Sequence, residues 1–319
     1  MAEDVPPLRW LWAERDRRRR AVQYWIFDPL TGLYRFATHY AARALPIDAC
    51  SALGARFGNI AGRYSRQFDG QRTRLRENWT RLKPDGTDPA LPHGVRDSAW
   101  QNIGRVVMEF AVIDRLWAAG RIAVEGAEHV ATARASGRPV LVLGVHTGNW
   151  EVIWPTLVGL GHPTTLIYQP QGNRFEHAIL RISRKRCGIT LAPPWRAGAL
   201  PAYRALLARK SVLVMFIDEF MHGRVHAPSF GRPLKLQGNI ANVARMARMS
   251  NAVVIPVYSV RRGGAYFDVN FLPPVDLVDS GDAEADLAAN VAKLDALVEP
   301  IVLKHLEQWF MLFDFRFDT

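Results

Sequence analysis

Hydrophobic and polar residues follow two different patterns along the chain. Up to about Leu116, apolar residues recur at helical spacing, with few β-branched runs. Beyond that point, short apolar runs punctuated by Gly or Pro alternate with helix-like stretches. The runs are RIAVEG, PVLVLGV, TTLIYQP, GITLAPP, SVLVMFID, AVVIPVYSV and AYFDVNFLPP. The helix-like stretches are residues 127–136, 150–160, 174–186, 198–210, 238–250 and 284–307.

This alternation predicts an α/β fold: a mostly parallel central sheet flanked by helices and preceded by an N-terminal helical segment. Continuous apolar runs are typical of strands that are buried on both faces. We therefore divide the chain into an N-terminal segment, residues 1–45, and a larger part, residues 46–319. The larger part is predicted to be helical over 46–120, with a loop at DGTDPALPHG, and α/β over 121–319.

The N-terminal segment combines basic residues with one apolar face. RDRRRR, residues 15–20, precedes a stretch from Tyr24 to Pro46 whose apolar residues form a single helical stripe. Charged residues interrupt this stretch, whereas a membrane span needs about 20 mostly apolar residues. A helix of this kind lies in the membrane interface or docks on the protein's own core, and the pattern leaves both open. The acidic opening MAEDVPPLRW predicts no signal peptide.

The chain carries an excess of positive charge. Lys and Arg number 41 against 30 Asp and Glu, which gives a net charge of +11. The excess is concentrated in residues 54–83 and 171–210. It indicates an anionic partner, such as nucleic acid, an anionic membrane surface or an acidic carrier protein, although solvated helix faces explain such clusters equally well. The basic segments lack the signature of a nucleic-acid-binding module, so we expect no nucleic acid.

Several kinds of site are not supported by the motifs. Cys50 and Cys187 have neither disulfide-framework nor metal-ligand spacing, and both are interpreted as packing residues. The chain has no nucleophile elbow and no nucleotide-binding glycine loop, so we expect no covalent serine intermediate and no cofactor. Asp218, His222 and His226 recur every four residues, but Gly223 and Pro228 argue against the helix that a metal site would need. We expect no metal.

The stretch VLGVHTGNWE, residues 142–151, places chemistry at the end of a predicted buried strand. Active sites of open α/β sheets lie at the carboxyl ends of strands, where His146 is expected. A turn at Gly148 and Asn149 would bring Glu151 back towards the imidazole, and a carboxylate beside an imidazole stabilises its protonated form. The pair would then serve as a general base. Alternatively, His146 merely ends a strand and Glu151 caps a helix.

This motif resembles that of the bacterial lipid A late acyltransferases, the lauroyl/myristoyl transferase family, whose signature is H-x4-[DE]. The resemblance extends in order over roughly residues 40–317. It includes RTRLRENW, the segment from RIAVEG to HTGNWE, FIDEF, SFGRP, AVVIPVYSVRR with AYFDVNFLPP, and HLEQWF. The chain departs from the family pattern at Gln169, where Arg is usual, at Gln237-Gly238, where Thr-Gly is usual, and in lacking a clear N-terminal membrane helix.

The resemblance implies an acyltransferase that moves a fatty acyl group from an acyl carrier protein thioester to a hydroxyl of a membrane glycolipid. His146 would be the general base and Glu151 its partner. The expected substrate-binding or supporting residues are Asn149, Gln169, Arg174, Asp218, Arg224, Phe230, Gly231 and Arg261, with Arg174 or Arg224 replacing the missing arginine. The implied partners are the acyl carrier protein, a membrane lipid acceptor and the membrane surface, at the cytoplasmic face of the inner membrane.

Three alternatives stay open at this point. The acceptor could be another membrane lipid, such as a lysophospholipid, an ornithine lipid or a phosphoglycolipid. The protein could be a thioesterase in which His146 activates water. It could also be a binding module without catalytic activity. The sequence does not determine the acyl-chain length, because pocket depth is not encoded in a short motif.

Overall fold

A computed structural model of the protein describes residues 5–83, 93–168, 171–192, 199–221 and 223–317. Its strands are Ile122–Glu125 (β1), Val140–Gly144 (β2), Thr164–Leu166 (β3), Thr190–Leu191 (β4), Val212–Phe216 (β5), Phe220–Met221 (β6), Arg224–Val225 (β7), Val253–Gly263 (β8) and Tyr266–Phe271 (β9). All seven predicted strands are therefore present, and the short β6–β7 hairpin is an addition that the pattern did not reveal.

The predicted strands form one seven-stranded sheet in the order β1-β9-β8-β2-β5-β3-β4. All neighbouring pairs are parallel except β8 and β9, which are antiparallel. The prediction of a mostly parallel sheet flanked by helices is thus confirmed. Strands β2 and β5 lie in the interior of the sheet and all their residues are buried, which explains why both are continuous apolar runs.

Helices cover both faces of this sheet, and several of them precede its first strand in the chain. They are Arg15–Val22 (α1), Asp28–Ala44 (α2), Ile47–Tyr64 (α3), Asp69–Leu82 (α4), His93–Glu109 (α5), Ala127–Ala135 (α6), Ile153–Gly159 (α7), Arg174–Arg186 (α8), Ala199–Leu207 (α9), Gly238–Ser250 (α10) and Ala283–Lys304 (α11). A π-helical turn, Gln23–Phe27, joins α1 to α2, and a 3₁₀ turn, Trp150–Val152, leads into α7. The predicted loop at 85–94 lies almost entirely outside the described residues.

Alternate residues of β2 enter different hydrophobic cores. Leu141 and Leu143 pack in the core that contains the inward faces of α10 and α11. Val140 and Val142 point to the other face, where α6 and α7 pack. This alternation is the two-residue period of a strand, and it fixes which residues beyond the strand face each layer.

The helical part packs closely through glycines. A Cβ atom on Gly58 of α3 would lie 2.2 Å from the carbonyl oxygen of Trp100 in α5. One on Gly104 of α5 would lie 2.1 Å from the carbonyl oxygen of Gly54. The backbones of α3 and α5 can approach this closely only because these side chains are absent. The C-terminal end of α5 then reaches the loop that follows β2.

The C-terminal tail, residues 305–317, contacts the loop that follows β2 as well. Asn78 of α4 donates to the carbonyl oxygens of Leu312 and Phe315, at 2.8 and 2.9 Å. Asn78, the asparagine of the segment RTRLRENW, therefore holds this tail. The tail in turn donates the amide of Phe310 to the carbonyl oxygen of His146, at 2.8 Å.

The N-terminal segment docks on the protein with one face and exposes the other. Gly32 of α2 abuts the ring of Phe175 in α8, and Arg43 forms a two-bond ion pair with Asp114 at 2.8 and 2.9 Å. The opposite face of α2 and its preceding turn exposes Phe27, Leu30, Leu33 and Tyr34. In the part of the chain that the structure describes, no helix has the length and apolarity to cross a bilayer.

Candidate active site

The ends of β2 and β5 bring a histidine and an aspartate together. Gly144 of β2 pairs with Phe216 of β5 in parallel register. His146 and Asp218 each lie two residues beyond this pair, so they emerge side by side at the carboxyl edge of the sheet. This is the edge at which open α/β sheets carry their active sites, and the position predicted for His146 is confirmed.

Asp218 is the hydrogen-bonding partner of the His146 imidazole. Its Oδ1 lies 2.8 Å from Nδ1 of His146, and its Oδ2 accepts from the His146 amide and from Nε1 of Trp309, each at 2.8 Å. The carboxylate is fully buried. Because a carboxylate only accepts, Nδ1 donates in this contact, and in the neutral imidazole the lone pair is then on Nε2. The pair therefore has the arrangement of a general base with an orienting carboxylate.

Aromatic rings surround the imidazole and leave it partly accessible. Ring centroids of Phe216, Trp150 and Phe310 lie 4.3, 5.0 and 6.4 Å from that of His146. The His146 side chain is 13% exposed. A reacting group can therefore reach the imidazole, while the surrounding rings exclude most of the solvent.

An apolar cavity adjoins this histidine through Trp150. It has a volume of about 330 Å³ and lies between α2, α5 and α8. Its walls include Ala42, Val106, Phe110, Ile179 and Leu180, with charged residues such as Arg35 and Glu176 also lining it. A cavity with such walls suits an aliphatic chain.

Three successive carbonyl groups of the loop between β2 and α7, those of residues 146–148, accept hydrogen bonds from other parts of the protein. Besides the bond from Phe310 to His146, the Ser259 hydroxyl donates to the carbonyl oxygen of Thr147 at 2.8 Å, and Asn102 donates to that of Gly148 at 3.0 Å. Gly148 has a φ of 59°, and a Cβ atom there would lie 2.6 Å from the Ser259 carbonyl oxygen. Only glycine suits this position.

The predicted pairing of Glu151 with His146 is corrected by the structure. The Glu151 carboxylate accepts from Arg184 at 2.6 and 3.2 Å and from the indole nitrogen of Trp154 at 2.7 Å. Glu151 lies in the 3₁₀ turn that leads the chain away from the end of β2, and its side chain faces α8. The carboxylate that meets the imidazole comes from β5 instead, because β5 is the neighbour of β2 in the sheet.

Asn149 and Arg261, predicted as substrate-binding or supporting residues, belong to a buried network centred on Glu109. Asn149 donates to Glu109 at 2.8 Å, and its side-chain oxygen accepts the Glu151 amide at 3.1 Å, so Asn149 caps the helical turn that follows. Arg261 makes two bonds to Glu109, at 2.6 and 2.9 Å, and one to Asn102. Since these polar groups satisfy one another, both residues support the loop.

Phe230 and Gly231 support the pair of His146 and Asp218 indirectly. The ring of Phe230 packs edge-on against Trp309, with centroids 5.5 Å apart, and Trp309 donates to Asp218. Phe230 has a positive φ of 48°, and its amide donates to Glu299 at 3.0 Å. Gly231 follows with a φ of 80° and is exposed. The Phe-Gly-x-Pro turn thus fixes the indole that binds the carboxylate.

The two arginines expected to replace the missing basic contact lie elsewhere. Arg174 stacks on Tyr24, 3.9 Å from its centroid, and donates to the Tyr24 carbonyl oxygen at 2.8 Å, so it fastens the N-terminal segment to α8. Arg224 lines a separate cavity of about 230 Å³ together with Arg232 and Lys235. Gln169 lies outside the described residues, as does His222.

Sequence reasoning missed several residues that shape the site, chiefly Glu109, Asn102, Arg184, Ser259, Gln308 and Trp309. Glu109 and Arg184 are charged residues on the buried faces of their helices, and a charge at an apolar position of a helical stripe was the available signal. Glu219 follows Asp218 and accepts from Asn239 at 2.7 Å. Burial raises the pKa of the Glu219 carboxyl. Across the described residues, no group of His, Cys, Asp and Glu could hold a metal ion.

The structure thus defines a class of protein: an α/β fold with a histidine–aspartate pair at the carboxyl edge of a mostly parallel sheet, beside an apolar cavity. The family model described as bacterial lipid A biosynthesis acyltransferase matches residues 13–317, nearly the whole chain. The protein therefore belongs to this family and is an enzyme that transfers acyl groups. The resemblance identified from its motifs is confirmed.

Among solved structures, the fold is similar to the crystal structure of the 1-acyl-sn-glycerophosphate acyltransferase PlsC from Thermotoga maritima. The two chains are 14% identical, the match covers 88% of this chain and 98% of that chain, and the TM-score is 0.36. The comparison with curated proteins gave no match.

Proposed function

We propose that the protein transfers a fatty acyl group from a thioester donor to a hydroxyl group of a membrane lipid, with His146 as general base and Asp218 as its carboxylate partner. The observation that carries this proposal is the 2.8 Å contact between His146 and the buried Asp218, beside an apolar cavity. Family membership supports a lipid A-type glycolipid as the first candidate acceptor.

The reaction proceeds by direct transfer. Nε2 of His146 takes the proton from the acceptor hydroxyl as its oxygen bonds to the thioester carbonyl carbon. The resulting tetrahedral oxyanion collapses, the carbon–sulfur bond breaks, and the thiolate leaves with the proton that His146 held. Asp218 stabilises the imidazolium during this exchange and keeps Nδ1 protonated throughout.

The apolar cavity is proposed to hold the acyl chain. Its walls come from small and branched side chains of α2, α5 and α8, and it meets the catalytic histidine at Trp150. Two substitutions should change the preferred chain length in opposite directions: Ala42→Leu fills the cavity and should favour shorter chains, whereas Leu180→Ala enlarges it and should favour longer ones. Competition between donors of different chain length measures the shift; identical preferences in both variants would place the chain elsewhere.

An acidic acyl carrier protein is the proposed donor. The net charge of +11 supports it, as do Arg181 and Lys185. These two residues are exposed on α8, whose inner face lines the cavity. Electrostatic association should weaken as salt screens the charges. We expect the KM for acylated carrier protein to be lower than the KM for acyl-coenzyme A. The KM for the carrier protein should also rise with ionic strength, whereas the KM for acyl-coenzyme A should change less.

The exposed face of α2 is proposed to lie on the cytoplasmic leaflet of the inner membrane. Leu30 and Leu33 are 62% and 71% exposed, and α1 next to them carries a run of arginines that would meet anionic head groups. Val107, 60% exposed, lines the cavity together with Arg35 and Thr38 of α2, so the cavity opens beside this face. A lipid chain could therefore enter directly from the membrane.

Vesicle sedimentation tests this orientation. The variant Leu30→Glu/Leu33→Glu should bind vesicles of anionic lipid at least about tenfold more weakly, because each leucine withdrawn from the apolar layer forfeits roughly 1.5 kcal/mol or more. Leu200→Glu is the matched control, since Leu200 on α9 is 53% exposed but lies on another element. Equal binding by all three proteins would show that α2 is not the docking face.

Mass spectrometry of membrane lipids tests the activity itself. Cells with the wild-type protein, with His146→Ala and with the gene deleted are compared. The proposal expects one lipid class to lose a fixed acyl mass in both mutants, which also identifies the acceptor. A purified reaction completes the test: acyl transfer to added lipid supports the proposal, whereas release of free fatty acid that is independent of any acceptor would identify a thioesterase. An unchanged lipid profile in all three strains would contradict acyl transfer to a membrane lipid.

A further inference from the structure

Glu109 is a fully buried carboxylate at the C-terminal end of α5 that touches no part of the proposed reaction directly. Its two oxygens accept bonds from Ser51 at 2.6 Å, from Asn149 at 2.8 Å and from both terminal nitrogens of Arg261 at 2.6 and 2.9 Å. A buried charge is tolerated only when it is paired and fully hydrogen-bonded, as this one is.

One connection runs from Glu109 to the catalytic loop through Asn149. The Asn149 amide nitrogen bonds to Glu109 while its amide oxygen accepts the backbone of Glu151, and its side chain is fully buried. This single side chain thus links α5 to the start of the turn that follows His146. Trp150, whose ring contacts His146 and lines the cavity, lies between Asn149 and Glu151 in the chain.

A second connection runs through Arg261. Its guanidinium bonds to Glu109 and, through Nε, to the Asn102 side chain at 2.8 Å. Asn102 donates to the carbonyl oxygen of Gly148 at 3.0 Å. The backbone amide of Arg261 donates to the side chain of Gln308 at 2.8 Å, and the Gln308 carbonyl oxygen accepts the Gly148 amide at 3.1 Å. The loop is therefore held from both sides by groups that depend on Glu109.

We propose that Glu109 is a positioning residue for acyl transfer: through Asn149 and Arg261 it fixes the loop that carries His146, so that Nε2 meets the acceptor hydroxyl in a productive position. This inference rests on the proposed function of His146. A displacement of about 1 Å at a catalytic group reduces the rate roughly 100-fold, so loss of the charge should act mainly on kcat. Substrate contacts are unchanged, so the KM should stay the same.

The test compares two buried carboxylates in the full-length protein. Glu109→Gln keeps the size of the side chain but removes the charge that Arg261 and Asn149 bind. Asp286→Asn is the matched control: Asp286 is equally buried, is bound by Arg248 and Ser280, and shares no residue with the catalytic loop. Unfolding midpoints, kcat and KM are measured for both variants, for the wild type and for His146→Ala.

Glu109→Gln should lower kcat about 100-fold at an unchanged KM, whereas Asp286→Asn should lower the unfolding midpoint and retain kcat. Equal kcat values in these two variants would overturn the inference. If Glu109→Gln does not fold, Asn149→Ala replaces it, with a loss of kcat at unchanged KM expected and an unchanged kcat overturning the inference. If His146→Ala keeps its activity, the proposed function itself fails, whatever the Glu109 variant does.

Discussion

The carboxylate of Asp218 determines which nitrogen of His146 carries the proton. In Asp218→Asn, the amide can turn its NH₂ group towards Nδ1, and the proton then moves to Nε2, where it blocks the base. We expect the rate of acyl transfer to fall at least about 100-fold. Steady-state kinetics measures this loss, and near-ultraviolet circular dichroism checks that Trp309 and its surroundings remain folded.

The same pair can be tested by combining substitutions. If Asp218 acts through His146, the double variant Asp218→Asn/His146→Ala should be about as slow as His146→Ala alone, because residues that work as a unit have non-additive effects. Rates that multiply in the double variant would mean that Asp218 contributes to the reaction independently of the imidazole.

Glu151 is expected to matter for stability rather than for the proton transfer. Its side chain and that of Arg184 are 6% and 10% exposed. In Glu151→Gln the buried guanidinium loses its counter-charge, and breaking a buried pair from one side costs about 3–5 kcal/mol. Urea unfolding measures this loss. The variant Glu151→Leu/Arg184→Met should recover much of this stability. A Glu151→Gln protein that is stable but inactive would instead show that Glu151 takes part in the reaction.

At the scale of the elements, the contact between α3 and α5 depends on missing side chains. Gly104→Ala would place a methyl group 2.1 Å from the Gly54 carbonyl oxygen. The clash could be relieved only by moving the backbone of α3 or α5, because the nearest atoms belong to the backbone. We expect a loss of stability of at least about 1–3 kcal/mol, the usual range for overpacking. Because α5 carries Asn102 and Glu109, activity should fall as well. Thermal unfolding and kinetics check both effects.

Gly70→Ala is the control for this substitution. Gly70 lies in the first turn of α4, and the nearest atom to an added Cβ would be the flexible end of Arg74, 3.6 Å away. Alanine favours the helix over glycine by up to about 1 kcal/mol, so the control should be neutral or slightly more stable. A destabilisation of similar size in both variants would mean that helix packing does not explain the first.

The elements were largely predictable from the sequence, whereas their contacts were not. Runs such as VLVLG and VLVMF are apolar throughout, and this property alone marks β2 and β5 as buried strands. No local pattern says that β5 lies beside β2, and that neighbourhood selects Asp218 over Glu151 as the partner of His146. Glu109 and Arg184 were missed for the same reason, because each is explained only by an opposite charge from a distant segment.

At the scale of the whole molecule, His39 links stability to pH. It lies on α2, and its Nε2 is 3.4 Å from the Ser183 hydroxyl of α8. Burial, followed by the charges of Arg186 and Arg43, lowers the pKa of His39 to about 4, whereas Asp114 has the opposite effect. Between pH 6.5 and pH 4 the unfolded chain binds a proton at this histidine that the folded protein does not. The free energy of unfolding therefore falls as the pH is lowered through this window.

The variant His39→Gln isolates this contribution. The shift corresponds to at most about 3 kcal/mol, and the partial exposure of the ring reduces it. We expect the difference in unfolding free energy between His39→Gln and the wild type to move in favour of the variant as the pH falls from 6.5 to 4. Denaturant titrations at several pH values measure it. Parallel curves for the two proteins would show that His39 protonates equally in the folded and unfolded states.

The hydrogen bonds from the C-terminal tail to Asp218 and His146 also have a consequence for the order in which the protein folds during synthesis. Trp309, whose indole binds Asp218, lies 91 residues further along the chain than that aspartate. On the ribosome, the strands that carry His146 and Asp218 emerge well before the residues that fix them. A nascent chain can thus form its sheet while its base is still unsupported. The contacts that hold Asp218 and the carbonyl group of His146 therefore form last, after all the strands of the sheet have been synthesised.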